Sequence, residues 1–141
     1  MAERGFLDYI LSFDICCLLE TFTAENFDFN ILCNDFEIFH SPAVRLSRFG
    51  RRSGGAVLLV KKALTDQINR VECSHDSMLI LRMSNYFATD FFLICAYVPP
   101  IDSPYYSSKE INYNITLIEE ELLRLHEDYL QASVLISGDF N

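Results

Sequence analysis

The chain has 141 residues, half of them hydrophobic, with 12 Phe and 7 Tyr; this is enough apolar material for the core of one domain and too much for a disordered chain. A net charge of −9 excludes a surface that is basic all round, although a local basic field would still serve nucleic acid. No apolar run approaches the roughly 18 residues of a membrane span, and the first ten residues, with Glu3, Arg4 and Asp8, lack the charged-then-apolar order of a signal peptide.

Phe6, Leu7, Ile10 and Leu11 share one helical face, so the chain is expected to open on a helix ending near Leu11. Asp14 to Leu19 (D-I-C-C-L-L) is an apolar run of strand length, and both its faces are apolar, as in a strand covered on two sides. Glu20 and Thr21 end it. Thr21 to Phe36 has no clean period and reads as a loop. Phe36 to Phe39 is a short strand stopped by Ser41-Pro42, and Arg45 to Gly55 is a basic turn broken by Gly54-Gly55. Ala56 to Lys61, Thr65 to Cys73 and Ser77 to Met83 follow as strands. Phe91 to Val98 is apolar on both faces, which predicts a central strand, and Pro99-Pro100 ends it.

Ser107 and Glu110 have capping-box spacing. Beyond them Ile111, Ile115, Ile118, Leu122, Leu125 and Tyr129 form the stripe of an amphipathic helix. Glu119, Glu120, Arg124 and Glu127 lie on its wet side, and the glutamates read as a solvated face. Ser133 to Asn141 (S-V-L-I-S-G-D-F-N) is a last strand with an acid and an amide at its tip. The whole is an α/β pattern with a strand–helix–strand crossover from Phe91 to Ser137.

Five cysteines, Cys16, Cys17, Cys33, Cys73 and Cys95, show no C-x-x-C spacing. They read as reduced core thiols of a nuclear or cytoplasmic protein that is not secreted and meets no membrane. Asn114-Ile115-Thr116 spells a glycosylation acceptor that has no role in such a protein. Six of the eleven Lys and Arg fall between Arg45 and Lys62. Arg45, Arg48, Arg51 and Arg52 would lie along a nucleic-acid backbone, or form a solvated hairpin that balances the acidic surface.

Three strands end in polar groups: Glu20, Tyr97, and Asp139 with Asn141. In open α/β sheets ligands gather at the carboxyl ends of strands. Were these strands parallel and adjacent, two carboxylates, a phenol and an amide would converge. Hard oxygen donors of that kind suit Mg²⁺, and Mg²⁺ beside a phosphate supports phosphoester hydrolysis. The other reading is that Glu20 and Asp139 cap turns and Tyr97 is a core aromatic.

D-I-C-C-L-L-E-T (14–21), S-G-G-A-V-L-L-V-K (53–61), A-Y-V-P-P (96–100) and S-G-D-F-N (137–141) occur in that order. Together they resemble the endonuclease/exonuclease/phosphatase superfamily, and within it the apurinic-type endonuclease domain of non-LTR retrotransposon polyproteins. The resemblance implies half of a four-layer α/β sandwich, a mixed sheet flanked by helices. It implies that Glu20 ligates a divalent metal, Mg²⁺ or Mn²⁺. Tyr97 would lie beside the scissile phosphate, Asp139 would position or activate the attacking water, and Asn141 would contact the phosphate. The implied partner is DNA, nicked to leave a 3′ hydroxyl, with a reverse transcriptase in the full polyprotein. A phosphoesterase of lipid or sugar phosphates and a non-catalytic interaction module are the other readings.

The sequence departs from the family's pattern in three places. No strand with a metal-side asparagine precedes Phe6, Leu19 stands where the family often has Gln, and the C-terminal half with its aspartate–histidine pair is missing. His40, His75 and His126 sit in no such motif and are expected to be structural or on the surface. The expectation is therefore a partial domain over 1–141, truncated at both ends and inactive alone. It would be poorly soluble or oligomeric, with an apolar sheet face and an open sheet edge exposed.

Overall fold

The computed structural model describes residues 2–45, 50–73, 75, 77–84, 89–100 and 113–140. Helix α1 (Ala2–Leu11) precedes strands β1 (Ile15–Leu19), β2 (Phe36–Ser41), β3 (Val44–Arg45), β4 (Arg52–Ser53) and β5 (Ala56–Lys61). A 3₁₀ turn (Lys62–Gln67) leads into β6 (Ile68–Val71), followed by β7 (Met78–Met83), β8 (Phe91–Val98), helix α2 (Tyr113–Asp128) and β9 (Ser133–Phe140). None of the described helices is long and apolar enough to cross a membrane.

The strands form two main sheets. One has the order β1-β5-β2, with β5 antiparallel to both neighbours. The other has the order β6-β7-β8-β9, antiparallel except for the parallel pair β8 and β9. The β8–α2–β9 unit is the crossover expected from the sequence. β3 and β4 make a separate two-stranded ladder.

The sheets pack face to face, and strand alternation shows why. Alternate residues of β5 (Ala56, Leu58, Val60), β7 (Leu79, Leu81, Met83) and β8 (Leu93, Cys95) point into one shared core. The intervening residues point outward. Val57 and Leu59 meet Ile10 of α1 and Phe36. Met78, Ile80, Phe92, Ile94 and Ala96 meet Leu117, Ile118 and Leu125 of α2. The layers therefore run helix, sheet, sheet, helix. The expectation of an exposed apolar sheet face holds only at β9: this stretch of chain supplies strands to both sheets, whose inner faces cover each other from β5 to β8, while Leu135 and Phe140 of β9 stay exposed.

Other expectations are corrected by packing. β1 is half-buried throughout, because it pairs with β5 on one side only and lies at the edge of its sheet. Thr65 to Gln67 lie in the 3₁₀ turn, and the strand begins at Ile68. The helical stripe packs as expected at Ile118, Leu122, Leu125 and Tyr129, but Ile115 is 52% exposed, while Leu117 and Glu121 are each 7% exposed. Phe6 points outward from α1, and Ile10 carries that contact. Ile111, Ser107 and Glu110 lie outside the described residues. Cys17 and Cys95 face each other across the intersheet core and are joined as a disulfide, against the expectation of reduced thiols.

Candidate active site

The decisive geometry begins where β1 ends. Glu20 has φ 50° and Phe22 has φ 52°, left-handed values that side chains with a β-carbon rarely adopt. Such residues cost on the order of 1–3 kcal/mol each and persist only where their surroundings hold them. The Gly54-Gly55 turn does so here. Thr21 N–H donates to the Gly55 carbonyl (3.2 Å) and Phe22 N–H to the Gly54 carbonyl (3.1 Å). Gly55 has φ 90°, and a β-carbon on it would stand 2.8 Å from Thr21 Oγ1 and 3.1 Å from the Ala43 β-carbon. The S-G-G motif is thus the clamp that shapes the segment after β1.

Side chains extend the clamp. Thr21 Oγ1 lies 2.9 Å from Thr23 Oγ1, which lies 2.9 Å from His40 Nε2 on β2. Arg70 of β6 donates to the His40 carbonyl (3.0 Å). Partial burial, and then the Arg70 charge, push the His40 pKa below its ordinary value of 6.5. His40 is structural, as its sequence context implied, and its partner is the loop that carries Glu20.

Held this way, Glu20 meets Tyr97 of β8 from the facing sheet. The Tyr97 hydroxyl donates to Glu20 Oε1 at 2.5 Å, a short bond typical of an O–H on a carboxylate. Tyr97 is 7% exposed and Glu20 is exposed, so a buried phenol anchors a carboxylate that faces water. On the adjacent parallel strand Asp139 is the register partner of Tyr97, which places both on the face that Cys95 turns toward the other sheet. A β-carbon on Gly138 would overlap the Ala96 carbonyl, so glycine before Asp139 permits this close strand approach.

The strand tips converge, but not within one sheet. β8 and β9 are parallel neighbours, whereas β1 belongs to the facing sheet and reaches them across the intersheet gap. Asn141 and Arg48 lie outside the described residues. Of the remaining arginines, Arg45 and Arg52 line an open groove of about 500 Å³ together with Glu25 and Asn26. Arg52 donates to the Ala43 carbonyl (3.0 Å), and Arg51 stacks over the Phe22 ring, 6.0 Å from its centroid.

The donor set fits a hard divalent cation. Among the described residues no Lys or Arg nitrogen lies within ion-pair distance of Glu20. Its hydroxyl partner on Oε1 orients the carboxylate without neutralising it. One exposed carboxylate, with a second on β9 of the facing sheet, is the sparse protein ligation under which Mg²⁺ keeps most of its waters. That Thr21, Thr23 and His40 together brace the segment carrying Glu20 was not read from the sequence; the T-F-T run beside Glu20 was its only local sign.

No family model matches the sequence, and no curated protein matches it. Solved structures do match in shape. The human Nocturnin catalytic domain, determined with a bound sulfate anion, superposes with a TM-score of 0.62 at 13% identity, over 100% of this chain and 57% of its own. Truncated Caenorhabditis elegans TDP2 gives 0.59 at 14% identity, over 98% and 53%. D. rerio TDP2 in complex with a single-strand DNA product gives 0.54 at 14% identity, over 96% and 52%. These likenesses show an α/β fold shared with both proteins. The chain spans about half the length of these structures.

Proposed function

We propose that these residues form part of a divalent-metal-dependent phosphodiesterase that cuts DNA, the endonuclease of a non-LTR retroelement. The observation that carries the reading is the hydrogen bond from buried Tyr97 to Glu20, made across the two sheets at the strand tips where Asp139 also lies. The D. rerio TDP2 structure with a DNA product supports nucleic acid as the substrate class. The retroelement setting, with a reverse transcriptase as companion, rests on the four sequence motifs.

Glu20 would hold Mg²⁺ or Mn²⁺, which when bound supplies charge to the scissile phosphate and its leaving oxygen. Tyr97 fixes the carboxylate in place and presents a phenol oxygen beside it. Asp139 stands one strand away as a proton acceptor for an attacking water. Asn141 would donate its amide to a phosphate oxygen. Arg45 and Arg52 flank the groove in which a sugar–phosphate backbone would run.

Mn²⁺ binding followed by electron paramagnetic resonance tests the metal assignment on this chain. One ion per chain is expected, lost in Glu20→Gln and kept in Glu119→Gln; binding undiminished in Glu20→Gln overturns it. Plasmid nicking by protein containing residues 1–141 is expected to require Mg²⁺ and Glu20. In Tyr97→Phe the rate should drop roughly 100-fold, the usual effect of removing one positioned donor. Cleavage of a lipid or sugar phosphate with plasmid left intact would move the substrate class away from DNA.

A further inference from the structure

A second cluster of metal-ligating side chains stands apart from Glu20. On the apolar face of α2, among Leu117, Ile118 and Leu125, sits one buried acid, Glu121. Its neighbours are Cys73 and His75, from the turn between β6 and β7. One ligand atom from each of the three falls within 4.8 Å of the others. His75 Nε2 is 3.9 Å from Glu121 Oε1, and the Cys73 Sγ lies beside the same pair. Arg124 donates twice to the other oxygen, Oε2, at 2.6 and 2.9 Å. The carboxylate is thereby oriented, with Oε1 turned toward the imidazole.

We propose that Cys73, His75 and Glu121 form a binding site for a thiophilic divalent cation, with zinc as the fitting ion. Sulfur, imidazole nitrogen and carboxylate oxygen together are the donors zinc takes, at about 2.0–2.3 Å each. Ligand atoms of a tetrahedral site therefore lie about 3.2–3.8 Å apart, and small side-chain rotations bring the present cluster to that spacing. Magnesium, which favours oxygen alone, is excluded by the thiolate and imidazole. Arg124 acts as the outer partner that fixes the carboxylate. An open groove of about 810 Å³, lined by Arg70, Glu72, Cys73, Glu121 and Arg124, gives an ion its way in.

The position suggests what the ion does. The carbonyl of Ser77, two residues after His75, accepts the N–H of Tyr97 at 2.9 Å. A cation joining the turn to α2 would fix the backbone that holds the tip of β8. This role is independent of the phosphodiesterase reading, because no ligand is shared with the Glu20 site.

Cobalt(II) titration of the full chain tests the site. Tetrahedral visible bands and a near-ultraviolet thiolate-to-cobalt band are expected at one ion per chain, displaced by zinc. Cys73→Ser should abolish the thiolate band, and Glu121→Gln should weaken binding by at least about tenfold. A variant lacking the two other free thiols, Cys16→Ser with Cys33→Ser, should bind as the parent does. Absence of the thiolate band in the parent chain, or its survival in Cys73→Ser, overturns the proposal. If Cys73→Ser fails to fold by circular dichroism, His75→Asn reads the same site. Unchanged cobalt affinity in that variant would then leave an ordinary buried ion pair between Glu121 and Arg124.

Discussion

Glu20 shows how a side chain's role depends on backbone it does not control. Its φ of 50° and its bond to Tyr97 both depend on the Gly54-Gly55 turn, and a substitution there should act at a distance. Gly55→Ala combines an unfavourable positive φ with contact on Thr21 and Ala43, so it should destabilise the fold by more than about 1 kcal/mol in urea unfolding. Gly54, whose β-carbon would meet only Tyr97 Cδ1 at 3.9 Å, should lose less on the same change, the conformational cost alone. His40 makes a pH prediction. Its folded pKa lies below 6.5, so the unfolded chain binds a proton more readily than the folded one. That stability is present above pH 6.5 and is lost as the pH falls through the folded pKa. Thermal melts should show this acid-side loss reduced in His40→Gln, and an identical pH dependence in that variant would exclude His40 as its source.

β5 contributes to two of the three cores, the intersheet core and the one under α1. Leu58 lies in the intersheet core and Leu59 against α1, and both are fully buried. Leu58→Ala should cost about 2–5 kcal/mol, as large-to-small changes in packed cores do; Leu123→Ala, on the solvent face of α2, should cost little. Equal losses from the two would contradict the packing described. These elements were legible in the sequence to different degrees. A-V-L-L-V-K and F-F-L-I-C-A-Y-V announced strands because β-branched and large apolar residues fill both faces of a covered strand. The α2 stripe held at Ile118, Leu122, Leu125 and Tyr129 and failed at Ile115. Ile115 fits the period, but the sheet surface opposite the helix takes Leu117 and Glu121 instead, and what lies opposite a helix is not written in its own residues. β1 read as doubly covered because its side chains are apolar, although its position at a sheet edge leaves it half-exposed.

The whole molecule carries one asymmetry. β9 ends its sheet and is exposed along nearly all its length, with Leu135 52% and Phe140 54% exposed, and β1 borders the same side of the sandwich. An unpaired apolar edge offers its amides and carbonyls to another strand. The chain should therefore self-associate with concentration, and Leu135→Lys should shift sedimentation toward the monomer; a chain that stays monomeric at high concentration would show the edge to be inert. The motifs E-T, S-G-G, A-Y-V-P-P and S-G-D-F-N singled out Glu20, Tyr97 and Asp139 as candidates from the sequence. Each is a local pattern of strand, stop and turn that neighbouring residues suffice to specify. Which sheet each strand joins was decided only in three dimensions. Glu20 reaches Tyr97 across 77 residues of chain because two sheets bury their inner faces against each other, and Glu121 meets Cys73 and His75 because α2 lies over the outer face. Such meetings come from the burial of apolar surface between distant segments, a free energy that belongs to the packed pair and to neither stretch alone.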